Sequence, residues 1–252
     1  MNLRLLTAAV FISSLSACSS LYMPNVPNTP MLSAPGELHA SAHISLRGNA
    51  SFNTAYAVSN HLGVIANGSM MNNQRDRKDF KHNLIEAGAG YFSTFGPANN
   101  RILEIYGGLG RGSSERIYKE RDMQGALTYD RFETSFNKLF FQVNYSSKRK
   151  RDLRIFGGNF PLNYGTALRA SHVSMREFTR NDVAQDLEEN IFLEPVFFTR
   201  MSVSNSVQIQ YTSGSNFGLF NRKFLTAGNS VFTIGLVINV GGRNLNSTGS
   251  PR

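Results

Sequence analysis

One cysteine occurs in the 252 residues, at position 18. No disulfide can close within the chain, and no metal site can be built on a set of thiolates. Past the first 17 residues there is also no run of about 18 apolar residues, so a membrane-spanning helix is excluded. If the chain enters a bilayer it must do so as a closed barrel, the other architecture that pairs all of its own backbone groups. Charge is scarce too, at 17% of residues against about 25% in soluble domains. Acidic residues are the scarcer sign, 17 Asp and Glu against 26 Lys and Arg, for a net charge of +9.

What is present begins with a leader. Arg4 supplies a positive charge, Leu5 to Leu15 an apolar stretch, and Leu15-Ser16-Ala17-Cys18 small residues before the cysteine. That order reads as a bacterial lipoprotein signal over residues 1–17, cut to leave a lipidated Cys18 whose thiol is consumed by a thioether. Such a leader takes the chain out of the cytoplasm, so nucleic acid is not an expected partner. Outer-membrane lipids, including lipid A phosphates, are the expected counter-charges, with a second envelope protein as a further partner. No cofactor or metal is expected.

Residues 18–35 carry Pro24, Pro27, Pro30 and Pro35 among Asn and Ser, a composition that predicts an extended tether outside any packed core. From Gly36 to about 241 the period is two. Leu38, Ala40, Ala42, Ile44 and Leu46 alternate with Glu37, His39, Ser41, His43 and Ser45, and the split recurs at 101–111, 207–212 and 232–239. With turn signals included, about ten strands are predicted, near 36–47, 50–58, 61–72, 82–95, 101–116, 130–146, 163–178, 190–202, 205–217 and 229–241. Ser59-Asn60, Gly96 to Asn100 and Ser204-Asn205 read as tight periplasmic turns. The charged stretches 73–81, 117–129, 179–189 and 218–228 read as longer connections on the opposite rim, and residues 147–162 as either a long connection or an extra hairpin.

The fold class expected is all-β: an antiparallel transmembrane β-barrel of about ten strands, lipid-anchored at its N-terminus, with a polar tail over 242–252. A tethered soluble sandwich or lipocalin-like barrel is the competing architecture. Gly88, Gly90, Gly108 and Gly110 share the polar face with Glu86 and Glu104, as a crowded lumen needs, and Tyr56, Tyr91, Phe92, Phe95, Phe140, Phe141 and Tyr145 read as interfacial girdles. The expected inward set is Glu37, His39, His43, Glu86, Glu104, Lys138, Arg169 or a neighbour, Glu194 and Arg200. In a narrow lumen these charges should pair into a plug, which argues against an open pore. His39 and His43 are four apart, about 13 Å along a strand, too far to share a metal.

Three patches remain. Lys148, Arg149, Lys150 and Arg151 form a basic run at an expected periplasmic turn, and Arg75, Arg77, Lys78 and Lys81 a basic group on the outer rim within reach of lipid A phosphates. His172 and Ser174 share a face of the seventh strand, the one expected to meet lipid. The run Arg169-Ala170-Ser171-His172-Val173-Ser174 resembles the His-x-Ser segment of the outer-membrane lipid A 3-O-deacylases, which implies Ser174 as nucleophile, His172 as general base and Asp186 or Glu177 as orienting carboxylate. The chain departs from that family in its leader, its number of strands and Met175.

Asn28-Thr29-Pro30-Met31-Leu32, Phe52 to Gly63 and Phe192-Leu193-Glu194-Pro195 resemble segments of a group of Bacteroidota outer-membrane lipoproteins described as β-barrels. The resemblance implies a barrel without an assigned activity. Lipoproteins of that group often reach the surface through acidic residues after the cysteine; here Ser19, Ser20, Leu21 and Tyr22 follow, which implies a periplasm-facing anchor. The absence of Asp after Cys18 resembles cargo sorted to the outer membrane, and the usual terminal aromatic is missing after Val240. A structural or accessory role in the outer membrane is the expected function, with a lipid A hydrolase or a narrow solute channel as alternatives.

Overall fold

Each long strand of the computed structural model, which describes residues 20–121, 126–155, 157–226 and 231–241, follows the two-residue alternation of the sequence. The strands are β1 (Leu38–Ser45), β2 (Ala50–Ala57), β3 (Leu62–Gln74), β4 (Lys78–Phe95), β5 (Arg101–Arg121), β6 (Leu127–Ile155), β7 (Gly158–Arg180), β8 (Val183–Ala184), β9 (Glu189–Ser202), β10 (Val207–Gly214), β11 (Phe217–Gly218) and β12 (Val231–Val240). Two of these, β8 and β11, are two-residue ladders on β7 and β9. The other ten form an antiparallel meander that closes where β1 pairs β12, Leu38 opposite Val240 through Ser45 opposite Thr233. A closed ring has no free edge, and every long strand is paired on both sides.

The ring has two rims. At the lower rim lie the start of β1, the end of β12, the connections 58–61, 96–100 and 203–206, and residue 157. At the upper rim lie 46–49, 75–77, 126, 181–188 and 215–226. The wall is lopsided, since β4 to β7 are 18 to 29 residues long while β1, β2 and β10 have eight each. Two expected connections are therefore mostly strand: 73–81 narrows to a turn at 75–77, and 117–129 is largely β5 and β6. The charge of these stretches marks strand tips standing above the membrane, not loops. The segment 147–162 is the hairpin reading: β6 and β7 continue past the barrel with a register shift between Ser147 and Arg151 and turn at 156–157.

Burial is inverted relative to a water-soluble barrel. Outward side chains are apolar and bare, as at Ile85 (69% exposed) and Leu109 (67%), with Phe52, Leu139, Phe141, Leu168, Phe197 and Ile234 around the same girth. Inward side chains are polar and sealed, as at Glu104, Arg169, Gln142 and Asn144. A soluble sandwich or lipocalin-like barrel would do the reverse, so the outer face is built for hydrocarbon. Among the expected girdle residues, Tyr56, Tyr91, Phe95, Phe141 and Tyr145 face outward, whereas Phe92 and Phe140 are buried in the lumen because they fall on the inward phase of β4 and β6.

The inward glycines make room for those rings. Phe140 lies over Gly88 and Gly108, and a Cβ on Gly88 would stand 2.6 Å from the Gly107 carbonyl oxygen and 3.2 Å from Phe140 Cζ. Backbone cannot yield there. Gly88→Val is expected to destabilise the barrel by at least about 1–3 kcal/mol, read as a lowered urea midpoint of the refolded protein, and a midpoint unchanged from the parent would refute the close packing.

Candidate functional site

The lumen is occupied by the chain itself. Residues 20–32 are all buried, and they run as an extended segment through the barrel. The sequence expectation of a tether outside the core is corrected here: the prolines do keep the segment extended, but Leu21, Tyr22, Met23, Val26, Met31 and Leu32 give it apolar side chains to bury. Extended chain of this kind makes no internal hydrogen bonds, so each of its polar backbone groups needs a partner from elsewhere. Pro24, Pro27 and Pro30 reduce the demand by removing three N–H donors.

Wall side chains supply the rest. At the upper end Arg116 Nη2 donates to the Ser20 carbonyl (2.6 Å), and Leu21 N donates to the Phe224 carbonyl in the 215–230 connection (2.9 Å). Tyr22 packs edge-on against Phe136 and tilted against Phe192, and its hydroxyl donates to Glu194 Oε1 at 2.6 Å. Midway, Asn53 donates to the Val26 carbonyl, Gln142 (2.6 Å) and Asn144 (3.0 Å) both donate to the Asn28 carbonyl, and Asn28 Nδ2 donates to Asn67 and to the Thr54 carbonyl. Lower down, Arg200 Nη2 donates to the Thr29 carbonyl (2.6 Å), and Glu104 Oε1 accepts from Leu32 N (3.1 Å). At the lower rim Glu37 takes both the Ser33 N–H and its hydroxyl at 2.7 Å, and Gly36 N donates to the Ala57 carbonyl.

Two buried apolar clusters grip the ends, Leu21 and Tyr22 among Leu84, Phe132, Phe136, Val173 and Phe192, and Leu32 among Ala55, Ile65, Phe92, Tyr106 and Phe140. Glu104 accepts hydrogen bonds from Leu32 N, the Tyr106 hydroxyl and Asn144.

Of the inward residues expected from sequence, all are buried: Glu37, His39, His43, Glu86, Glu104, Lys138, Arg169, Glu194 and Arg200. Four of them meet at mid-height. Lys138 Nζ lies 2.8 Å from Glu86 and 3.5 Å from Glu194, and Arg169 Nη1 lies 3.3 Å from Glu86 and 3.8 Å from Glu194. Two acids and two bases balance, and Arg169 also holds Gln142 (2.8 Å). His39 and His43 stand apart from each other and bond to Asn239 and Ser41. Among the described residues no cluster of His, Cys, Asp or Glu could hold a metal.

The surface sites fare differently. Lys148 to Arg151 lie within β6, not at a turn, because the hairpin closes eight residues on from Lys148 at 156–157. At the upper rim Arg75, Arg77, Lys78, Lys119 and Arg121 line one groove, while Lys81 is paired with Glu115 (3.0 Å), which also binds Arg131 (2.8 Å). Arg180 forks onto Asp130 at 2.8 and 2.9 Å, hydrogen bonds that raise its pKa above the ordinary arginine value. Cys18 lies outside the described residues.

His172 and Ser174 share the outward face of β7, at the upper margin of the apolar belt, with His172 opposite Leu139 and Ile191. The carboxylate that reaches His172 is Glu189 at 3.3 Å, neither of the two expected. Asp186 is exposed in the 181–188 connection, and Glu177 instead accepts from Ser135. Glu189 was illegible in sequence because it is brought across by the β7–β9 register, where it lies opposite Ser174. Tyr22, Asn28, Thr29, Leu32 and Arg116 were missed for a similar reason, though the apolar residues scattered through 21–32 were a signal that the segment is not a solvated tether.

The class defined by this arrangement is an outer-membrane-type β-barrel of ten long strands, with an apolar outer belt and a lumen filled by its own N-terminal segment. No family model matches the sequence, and no curated protein matches it. Among solved structures, the translocator domain of the autotransporter NalP from Neisseria meningitidis is similar, with a TM-score of 0.48 and 11% sequence identity over 81% of this chain and 85% of that one.

Proposed function

We propose that the protein is a lipid-anchored barrel of the bacterial outer membrane that acts as a non-enzymatic structural or accessory component of the envelope. The observation that carries this reading is the filled lumen: a buried segment hydrogen-bonded to the walls at Ser20, Tyr22, Val26, Asn28, Thr29 and Leu32 occupies it, beside a closed ring of two acids and two bases, which argues against an open solute pore. The lipoprotein leader and the resemblance to Bacteroidota outer-membrane lipoproteins support the anchor at Cys18. An accessory role needs a partner, and both the upper-rim groove of Arg75, Arg77, Lys78, Lys119 and Arg121 and the β6–β7 hairpin below the barrel offer surface for one. Purification of the native protein from outer membranes in gentle detergent, followed by mass spectrometry, is expected to bring down an envelope protein in stoichiometric amount. A barrel that emerges alone would count against the role.

A second reading follows from one contact. The His172–Glu189 pair, with Ser174 on the same lipid-facing surface, is the arrangement of a base and its orienting carboxylate beside a hydroxyl nucleophile, set at the depth where acyl esters of lipid A lie. On this reading Ser174→Ala leaves the barrel folded and abolishes acyl release, so lipid A from cells expressing the parent and the variant should differ by one acyl chain. Identical lipid A profiles would remove the hydrolase.

A further inference from the structure

The direction in which the lumen segment runs has a topological consequence. Ser20 and Leu21 sit at the upper rim, against Arg116 and Phe224, while Ser33 and Gly36 sit at the lower rim, against Glu37 and Ala57. Only then does β1 set off upward from Leu38. The chain therefore enters the barrel from the rim that carries the connections 181–188 and 215–230 and leaves by the rim of tight turns.

Which rim faces outward is decided by the walls. Outer-membrane barrels place short turns on the periplasmic side and long connections outside. The polar extension of the outward faces above the belt, through Asn83, Lys81 and Asp79 on β4 and Arg111, Ser113, Glu115 and Lys119 on β5, also points to the rim of the long connections. We infer that the mature chain begins on the cell-surface side of the membrane and threads its own barrel to the periplasmic side before the first strand. This reverses the periplasm-facing start that the residues after Cys18 implied.

The threading also assigns the leaflet of the lipid, a step that rests on the proposed modification of Cys18. Cys18 is two residues from Ser20, at most about 7 Å of chain. The stretch from Ser20 to Ser33 spans about 40 Å at ~3.1 Å per residue, so acyl chains on Cys18 could reach the inner leaflet only if the segment were pulled out of the lumen. The partner of that lipid is the outer leaflet.

The test uses the full chain in intact cells, with a short epitope placed between Ser19 and Ser20, within 181–188, or after Arg252 in three separate variants. The first two epitopes should bind antibody on intact cells, and the third only after permeabilisation. An epitope before Ser20 that appears only on permeabilisation would overturn the inference. Should that insertion hinder folding, the double variant Leu21→Cys, Phe224→Cys tests the threading while the other two epitopes report the membrane side: a disulfide joining the two in cells is expected, and two free thiols in a folded barrel would sink the threading. Incorporation of an alkyne fatty acid, lost in Cys18→Ala, reports the anchor separately. An unlabelled chain with a surface epitope would remove the lipid and leave the threading standing; a labelled chain with a hidden epitope would do the opposite.

Discussion

Deleting residues 20–32, with Ser19 joined to Ser33, is expected to turn a silent barrel into a conducting one. In planar bilayers the whole protein should show no steps in current, because its lumen is occupied by the buried segment 20–32. The shortened chain takes one hydrogen bond each from Arg200, Gln142, Asn144, Asn53 and Glu104, and water must replace them. Buried polar groups without partners each cost about 1–3 kcal/mol, so the vacated lumen fills with water sooner than it stays dry. Inward glycines and amides line it, and ions can follow the water. Discrete current steps from the deletion variant, against none from the parent, are the expected reading. A silent variant that still migrates as a folded barrel would mean that the β4–β7 wall collapses inward, and the plug would then be a packing element only.

The second large effect concerns the charges at mid-height. Lys138→Ala leaves Glu86 and Glu194 sharing Arg169 alone, with one carboxylate's worth of charge uncompensated in a site sealed from solvent. Breaking such a pair by removing one member costs about 3–5 kcal/mol, whereas removing both charges is often neutral. Lys138→Ala should therefore lower the urea midpoint sharply, and Lys138→Met combined with Glu86→Gln should recover most of the loss, since Arg169 and Glu194 remain as a matched pair. Equal losses in the single and double variants would show that charge balance does not govern the site. Tyr22 adds a link between this cluster and the plug, because its hydroxyl binds Glu194 and Lys138 Nζ lies 5.3 Å from its ring centre. Tyr22→Phe keeps the packing against Phe136 and Phe192 and is expected to cost about 1.5–3 kcal/mol, the range for hydrogen bonds to charged groups, measured by the same unfolding series.

Much of this architecture is legible in the residues alone. The two-residue period sorts side chains to the two faces of a strand without reference to any neighbour, so the inward charged set, from Glu37 to Arg200, follows from parity along the chain, while Phe92 and Phe140, expected on the outer girdle, fall inward. The count of ten strands, the tight turns near Ser59, Gly96 and Ser204, and the exclusion of a spanning helix are local properties of the same kind. Strand ends are less legible. Charged residues at 78–81 and 117–121 stop the hydrophobic alternation but not the hydrogen-bonded ladder, which needs only backbone, and so β4 and β5 run on above the membrane.

What the tertiary structure alone decided is whatever depends on closure. Parity says that Glu86, Lys138, Arg169 and Glu194 face inward, but only the register of the five strands β4 to β7 and β9 brings them to one height. Glu189 reaches His172 by the same means. The segment 20–35 shows the limit most clearly: its prolines favour extended chain and its scattered apolar residues ask for burial, but nothing local says what they are buried against. The wall groups that bond Val26, Asn28, Thr29 and Tyr22 lie 27, 114, 171 and 172 positions away in sequence, so the path through the lumen, and with it the side of the membrane on which the protein begins, exists only once the ring has closed.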